Sequence, residues 1–494
     1  MGRQQNRFEC SRGSALVTAL REVLPADCVL WRDEELHPYE CDGLTAFRQM
    51  PLAVVLPRAE AEVCNVLAIC HGLDVPVVAR GSGTGLSGGA MPHASGVVLS
   101  LARMNQILEL DPLARTARLQ PGVRNLQVSE AAAPFGLYYA PDPSSQIACS
   151  IGGNVAENSG GVHCLKYGLT VHNVLRVRGY TMEGTLLELG SHALDSPGLD
   201  LLALAIGSEG LLLIVTEITV KLVPRPQLAQ LVMASFDDVA KAGDAVAGII
   251  AAGIIPAGLE MMDRKATMAV EPFVQAGYDL RAEAILLAEA DGTTEEVTEQ
   301  VAAIERVVQA AGATAISISR SEEERLRFWS GRKNAFPAAG RISPDYYCMD
   351  GTIPRKNLGR MLKAIEQMET RYALRCMNVF HAGDGNLHPL ILFDANVPGE
   401  WERADRFGAD ILELCVQLGG TITGEHGVGI EKINSMCVQF SAREREAFFA
   451  VKRAFDPAGL LNPGKAIPTL ARCAEYGRMH VRAGALPHPD LPRF

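Results

Sequence analysis

The chain has 494 residues, of which 48% are hydrophobic and 21% are charged, and its formal net charge is −11. These values are typical of a globular protein with two or three domains, and the negative charge argues against a nucleic-acid-binding surface. The sequence has neither an apolar run of the ~18–20 residues that cross a membrane nor an apolar secretory signal. We therefore expect a cytoplasmic protein, and peripheral association with a membrane complex stays compatible with the sequence.

Twelve cysteines are scattered along the chain without a C-x-x-C pair. This spacing is typical of reduced, mostly buried thiols and excludes a ferredoxin-type iron–sulfur cluster on this chain. Any such cluster would have to lie on a partner.

The predicted elements begin with a helical lead-in over residues 1–47. Hydrophobic periodicity then predicts a strand at 51–57, a helix at 59–72 and strands at 76–79 and 96–101.

The loop between those last two strands is the most informative segment, because it holds five glycines within ten residues. Such a loop lets backbone approach a ligand closely, and its successive N–H groups form a concavity that suits a phosphate. A flexible surface loop is the alternative. The candidate phosphate-binding residues are Arg80, Gly81, Ser82, Gly83, Thr84, Gly85, Leu86 and Ser87.

Two familiar nucleotide motifs do not fit this loop. Gly83, Gly85 and Gly88 satisfy G-x-G-x-x-G, but a turn-like stretch and a strand follow instead of the helix that a Rossmann fold requires. A P-loop is excluded because no Gly-Lys-Ser/Thr follows.

Two further glycine-rich segments lie at 141–161 and 205–210, and an alternating strand at 214–220 follows the second. Their small and amide residues suit a ligand held along backbone hydrogen bonds; glycine-rich turns without a ligand are the alternative.

A break at Pro224–Pro226 predicts a boundary between domains over 48–226 and 227–468. The second domain alternates helices and strands, which suggests a separate α+β unit. Its predicted elements are a helix at 236–252, a strand at 283–290, a helix at 294–312, a strand at 345–353, a helix at 355–370, a strand at 376–382, and helices at 402–418 and 441–455. Residues 469–494 are predicted to be a loosely held tail.

A histidine pair marks a predicted hairpin in the second domain. Asp384–Gly385 between apolar runs is a hairpin signal, and a two-residue turn there places His381 opposite His388. Two imidazoles at such a short distance can share a divalent metal. The alternative is a pair of hairpin histidines that bind no ligand.

Two other segments carry candidate chemistry. Glycines bracket Glu425–His426, which fits an exposed turn beside a ligand. Arg332 and Lys333 follow aromatic residues, and the planar fork of Arg332 can bind a carboxylate; a solvated helix face is the alternative.

Together, the three glycine segments resemble the FAD-binding domain of the vanillyl-alcohol oxidase family. Over residues 10–470 the chain is similar to its group of 2-hydroxy-acid oxidoreductases, which holds the FAD-linked subunit of bacterial glycolate oxidase, D-lactate dehydrogenase and D-2-hydroxyglutarate dehydrogenase. The resemblance implies an α+β protein. A PCMH-type two-subdomain FAD-binding domain would precede a ferredoxin-like α+β substrate (cap) domain and a C-terminal helical segment.

The resemblance also implies which residues line the cofactor. FAD would be non-covalent, because neither glycine loop contains a histidine and Cys149 matches no known attachment pattern. Beyond the first loop, the implied FAD-binding residues are Pro141, Ser145, Gly152, Gly153, Asn158, Gly160, Gly161, Gly207, Glu209, Gly210, Ile214, Val215 and Asn462.

The resemblance assigns His381, His388 and Glu425 to a divalent metal, zinc-like by default although manganese or iron would also suit. His426 would be the catalytic base and Arg332 the substrate-carboxylate ligand. Phe336 and Cys348 stand where relatives acting on 2-hydroxyglutarate have polar groups, which favours a smaller acid such as glycolate or D-lactate.

The implied reaction oxidises a 2-hydroxy acid to a 2-oxo acid with hydride transfer to FAD. Electrons would pass to a quinone or to an iron–sulfur subunit, in a complex that also holds a second FAD-binding subunit. Three alternatives remain: a D-lactate or D-2-hydroxyglutarate dehydrogenase without those partners, a zinc hydrolase, and a scaffold subunit. A scaffold would lack the metal and base residues, which this chain has.

Overall fold

A computed structural model describes residues 2–193 and 198–468. The tail predicted over 469–494 lies outside the described residues. In the described part no helix is both long and apolar enough to cross a bilayer.

The first sheet is small and carries the glycine loop. Its strands run in the order β1-β2-β4-β3, and β2, β4 and β3 are parallel. Parallel strands need a crossover connection, usually a helix, but the β3–β4 crossover contains only the glycine loop and turns, as predicted. The elements of this region are α1 (Gly2–Val23), β1 (Val29–Leu30), α2 (Asp33–Leu36), β2 (Ala53–Val55), α3 (Glu60–Gly72), β3 (Val77–Arg80) and β4 (Val97–Ser100).

The second sheet has five antiparallel strands in the order β5-β6-β10-β8-β9. Its elements are β5 (Ile107–Asp111), β6 (Thr116–Leu119), α4 (Asn125–Ala132), β7 (Leu137–Tyr138), α5 (Ile151–Glu157), α6 (Cys164–Tyr167), α7 (Thr170–Asn173), β8 (Val174–Tyr180), β9 (Leu186–Gly190), α8 (Leu201–Ala205), β10 (Ile214–Lys221) and β11 (Val223–Pro224). The second glycine segment therefore contains a helix, α5, which the sequence did not predict. Ser150 starts this helix by accepting a hydrogen bond from the backbone N–H of Gly153 (3.3 Å).

The third sheet has seven strands, all antiparallel, in the order β15-β12-β14-β13-β17-β18-β16. Its region contains β12 (Leu228–Phe236), α9 (Val239–Ala251), β13 (Gly258–Asp263), α10 (Arg264–Val274), β14 (Ala284–Gly292), α11 (Thr294–Ala310), β15 (Ala315–Ile318), α12 (Glu322–Lys333), α13 (Ala335–Ala339), β16 (Asp345–Cys348), α14 (Leu358–Tyr372), β17 (Arg375–His381), β18 (Asn386–Phe393), α15 (Glu400–Gln417), α16 (Met436–Gln439) and α17 (Ala442–Phe455). The first four strands and their helices follow the ferredoxin-like β-α-β-β-α-β pattern, with one additional helix, α10, inserted between β13 and β14. The sequence missed β12, β13 and β15.

Helix α11 shows why the helices of this half were predictable. Thr293 and Glu296 form a capping box at its start. Val297, Val301 and Ile304 then recur at helical spacing and are buried in the core of the third sheet.

The end of the described chain returns to the first sheet. The N–H of Val77 donates to the carbonyl of Leu460, and the N–H of Asn462 donates to the carbonyl of Val77, both at 2.8 Å. Asn462 Nδ2 also donates to the carbonyls of Gly89 (3.0 Å) and Glu209 (2.6 Å). The segment after α17 thereby fastens the second half of the chain to the glycine loop.

His163 links the two halves of the chain. Its Nδ1 lies 2.8 Å from Asp142, and its Nε2 lies 3.3 Å from Glu289 of β14. Glu289 also pairs with Arg325 at 2.5 Å. Burial opposes protonation of the imidazole, but the Asp142 and Glu289 carboxylates outweigh it and raise the pKa of His163 to about 10.

This pKa gives the His163 contact a defined pH dependence. The pKa of His163 is about 10 in the folded state and about 6.5 in the unfolded chain. Protonated His163 therefore contributes its full stabilisation of the folded state below pH 6.5, and this contribution is lost as the pH rises through about 10. We expect His163→Gln to cost about 1.5–3 kcal/mol at pH 6 and almost nothing above pH 10. The urea unfolding midpoints of the parent and the variant, measured at pH 6 and above pH 10, give this stability difference. An equal difference at the two pH values would contradict the ion pairs between protonated His163 and its two carboxylate partners.

Candidate active site

The predicted histidine hairpin exists, but its predicted register is wrong. Strands β17 and β18 pair His381 with Asn386 and Val379 with His388, so a four-residue loop replaces the two-residue turn. The loop is widened because the N–H of Gly385 donates to the carbonyl of His381. The shift is two residues, an even number, so both imidazoles still project from one face. Their ring centroids are 5.0 Å apart.

Glu425 completes the cluster from a different part of the chain. Its Oε1 lies 2.9 Å from His388 Nε2, 3.4 Å from His381 Nε2 and 3.7 Å from His426 Nε2. Burial alone would raise the pKa of Glu425, but His381 and His388 hold it well below its usual value. One donor atom from each of His381, His388 and Glu425 lies within 4.8 Å of the others, close enough to hold one ion.

The loop that carries Glu425 and His426 is held by Asp350, which the sequence did not single out. The Asp350 carboxylate accepts hydrogen bonds from the backbone N–H groups of Gly424 (3.1 Å), Glu425 (3.2 Å) and His426 (2.9 Å). It is fully buried, with Lys432 Nζ 3.8 Å away. Although burial opposes its charge, His426 and Lys432 lower the pKa of Asp350 to about 2.

Arg332 lies behind the cluster rather than on the cavity wall. Its side chain is 1% exposed, and its Nε donates to Glu260 Oε2 at 2.6 Å. The other oxygen of Glu260 lies 2.8 Å from His381 Nδ1. Sequence reasoning missed Glu260, although an acid within the apolar strand β13 was an available signal. Lys333, the next residue, does line the cavity.

His426 has the surroundings of a neutral imidazole. Burial lowers the pKa of His426 to about 4. Its ring stacks on His388 with centroids 5.0 Å apart and planes 6° apart. Its Nδ1 is buried and has no hydrogen-bond partner among the described residues. The thiol of Cys348 also lies within 4.8 Å of a nitrogen of His388 and one of His426.

A cavity of about 530 Å³ joins the glycine segments to this cluster, with His388, Glu425 and His426 on its wall. The sequence-predicted cofactor residues that line it are Arg80, Gly81, Ser82, Gly83, Thr84, Gly85, Leu86, Ser145, Gly152, Gly153, Glu209, Gly210 and Val215. Asp42, Glu157 and Phe336 also line it.

The remaining predicted cofactor residues lie outside the cavity lining: Ser87, Pro141, Asn158, Gly160, Gly161, Gly207, Ile214 and Asn462. Several of them support its wall. The carbonyl of Ser87 accepts a hydrogen bond from the N–H of Ile430. Ile430 ends the loop over residues 420–430 that carries Glu425 and His426, here called the His426 loop. Ile214 is fully buried in the core of the first sheet.

Backbone packing at the cavity leaves little room for side chains. A Cβ on Gly81 would lie 2.2 Å from Ser150 Oγ. Gly88 has a φ of +74°, and a Cβ there would lie 2.4 Å from Ile430. Glu209 accepts hydrogen bonds from the N–H groups of Val428 and Gly429, both at 2.7 Å. The far end of the glycine loop, at Ser87 and Gly88, is therefore packed against residues 428–430, which follow His426.

This fold and site define a two-domain flavoprotein oxidoreductase. Residues 51–190 match the family described as FAD binding domain, and residues 225–466 match the family described as FAD linked oxidases, C-terminal domain.

The sequence relatives agree. The chain is 62% identical over 481 residues to the glycolate oxidase subunit GlcD of Escherichia coli (strain K12), covering 97% of this chain and 96% of that protein. It is 40% identical to GlcD of Bacillus subtilis (strain 168), covering 88% of this chain and 93% of that protein. It is 30% identical to a D-lactate dehydrogenase of Anaerostipes hadrus, with 91% and 96% covered. The chain belongs to the family of FAD-linked oxidases, in the group that contains GlcD.

Solved structures support the fold. A p-cresol methylhydroxylase with substrate bound superposes with a TM-score of 0.78 at 18% identity, covering 92% of this chain and 97% of that one. An alkyldihydroxyacetonephosphate synthase superposes with a TM-score of 0.72 at 19% identity, covering 92% of this chain and 85% of that one. The predicted α+β fold with a PCMH-type FAD-binding domain is confirmed, and so is FAD as the cofactor.

Proposed function

We propose that this chain oxidises a small 2-hydroxy acid, glycolate or D-lactate, to the corresponding 2-oxo acid. The observation that supports the proposal is that one cavity is lined both by the glycine loop and by His388, Glu425 and His426. The high identity to proteins named glycolate oxidase subunit and the likeness to a D-lactate dehydrogenase support this substrate class.

FAD fits the glycine-lined part of the cavity, where a Cβ on Gly81 would collide with Ser150. We assign the pyrophosphate to the Arg80–Gly89 loop, whose backbone N–H groups suit an anion. When bound, FAD supplies the hydride acceptor. We infer non-covalent binding, because the cavity-lining thiol Cys149 is held uncharged by burial, which raises its pKa.

A divalent metal fits His381, His388 and Glu425. Two imidazoles and a carboxylate are a common catalytic zinc set that leaves positions open; manganese or iron also suits these donors. Such an ion would supply polarisation of the substrate's hydroxyl and carboxylate oxygens. Glu260 supports this assignment, since it accepts from His381 Nδ1 and thereby directs His381 Nε2 toward Glu425.

His426 is our candidate for the base that takes the hydroxyl proton. It is neutral at physiological pH and lies on the cavity wall. Arg332 brings positive charge to the cluster, with Nη2 3.4 Å from the His381 ring. We keep Arg332 as a candidate carboxylate ligand. To reach a substrate its Nη atoms would turn away from His381, whereas Lys333 already lines the wall.

We also propose that the chain works in a complex with an iron–sulfur subunit and a second FAD-binding subunit, peripheral to the cytoplasmic face of the membrane. The relative GlcD of Escherichia coli is named as a subunit of glycolate oxidase. Rapid oxygen reduction by an active monomer purified from its native source would contradict this proposal.

A substrate panel tests the function. We expect glycolate or D-lactate to bleach the flavin anaerobically and to reduce an artificial electron acceptor, while D-2-hydroxyglutarate reacts poorly. Chelator treatment should abolish bleaching, and zinc, manganese or iron should restore it. His388→Ala should lose the bound metal in elemental analysis, and the control His71→Ala, altered on the exposed surface of α3, should keep it. Protein without flavin colour would favour the zinc hydrolase.

A further inference from the structure

A second cavity, of about 600 Å³, lies between the two halves of the molecule. Tyr138, His163 and Arg225 line it from one side, and Glu289 and Arg320 line it from the other. The proposed reaction uses none of these five residues.

Every carboxylate side chain on the wall of this cavity already has a basic partner. The pairs are Asp142 with His163 (2.8 Å), Glu289 with Arg325 (2.5 Å), Asp291 with Lys166, and Glu322 with Arg325 (2.6 Å). Their negative charges are therefore largely neutralised within the wall.

Three cations on the same wall are not neutralised. Arg225, Arg320 and Lys333 are exposed. Within residues 2–193 and 198–468, none of the three has a carboxylate within ion-pair distance, whereas Arg325 beside them has two. Unbalanced positive charge in a cleft with low-dielectric walls concentrates anions there.

Lys333 connects the two cavities, because it lines both of them. FAD bound in the first cavity would block access of a substrate to the His388–Glu425–His426 cluster along the glycine loop. The second cavity is then the other cleft that Lys333 borders, and Lys333 shares the wall of the first cavity with His388 and His426.

We propose that the second cavity is the entrance for the anionic substrate. Arg225 and Arg320 attract the carboxylate, and Lys333 receives it at the junction with the first cavity. This inference rests on the proposed function, because it takes the substrate to be a small carboxylic acid.

Salt dependence tests the entrance. We expect the double variant Arg225→Gln/Arg320→Gln to have a kcat/KM for glycolate or D-lactate about tenfold below that of the parent at 0.01 M ionic strength. The two proteins should converge near 1 M, where the Debye length is only about 3 Å. The matched control Lys363→Gln removes an exposed cation from a third cavity and should follow the parent at every salt concentration.

Two results would contradict the proposal that the second cavity is the substrate entrance. One is a double variant equal to the parent at low ionic strength. The other is a deficit that persists unchanged at 1 M, since it would indicate structural damage rather than lost attraction. The flavin absorbance spectrum of each variant checks that FAD binding is intact. If no 2-hydroxy acid bleaches the flavin of the parent, the proposed function itself has failed, which separates the two cases.

Discussion

A His426→Gln protein is expected to oxidise its 2-hydroxy acid about 10²–10⁴ times more slowly than the parent, which is the usual contribution of a general base. The side chain lies on the cavity wall, and burial keeps its imidazole neutral. Its Nδ1 has no partner in the described part of the chain. Glutamine keeps most of the volume but cannot accept a proton near neutral pH.

Single-turnover bleaching of the flavin is the measurement of choice, because it separates the chemical step from product release. The flavin content of the variant should equal that of the parent. His37→Gln, altered at a side chain that is 65% exposed, serves as the control. Turnover near the parental value would show that His426 is not the base.

Asp350→Ala is expected to lower the free energy of unfolding by about 3–5 kcal/mol, the cost of removing one member of a buried ion pair; Lys432 would keep only Glu431, at 2.7 Å, as a carboxylate partner. Lys432 is fully buried beside Asp350, and three successive N–H groups of the His426 loop would lose their acceptor. The loop that presents Glu425 and His426 would then lose its anchor.

Denaturant unfolding measures this change, and the content of the proposed metal in the folded fraction reports the position of Glu425. Asp350→Asn keeps the side-chain volume and separates charge from packing. Asp244→Ala, on the exposed face of α9, should change stability by less than about 0.5 kcal/mol. A loss below about 1 kcal/mol for Asp350→Ala would mean that the carboxylate holds little of this loop.

Local sequence patterns predicted the parts of the site that depend on backbone shape. The glycines of the Arg80–Gly89 loop require close backbone approach wherever they lie, and the strand that follows the loop, where a Rossmann fold needs a helix, excludes that fold. The hairpin histidines also remained on one face when the register proved wrong, because alternation along a strand has period two.

The sequence failed where a residue's role depends on distant partners. Strands β12, β13 and β15 were missed because short apolar runs do not by themselves distinguish a strand from a buried helix. Asp350 lies 75 residues before Glu425, and Glu260 lies 121 residues before His381. No local spacing relates such pairs.

By itself, then, the sequence determined the family and the glycine loop, and it predicted the candidate site residues His381, His388, Glu425 and His426. Only the tertiary structure decided how their charges are distributed. It paired Arg332 with Glu260, placed Lys333 between two cavities and put Asp350 beneath the His426 loop. The physical reason is that glycine conformation and strand alternation are properties of a few consecutive residues, whereas burial and ion pairing depend on which distant segments the fold brings together.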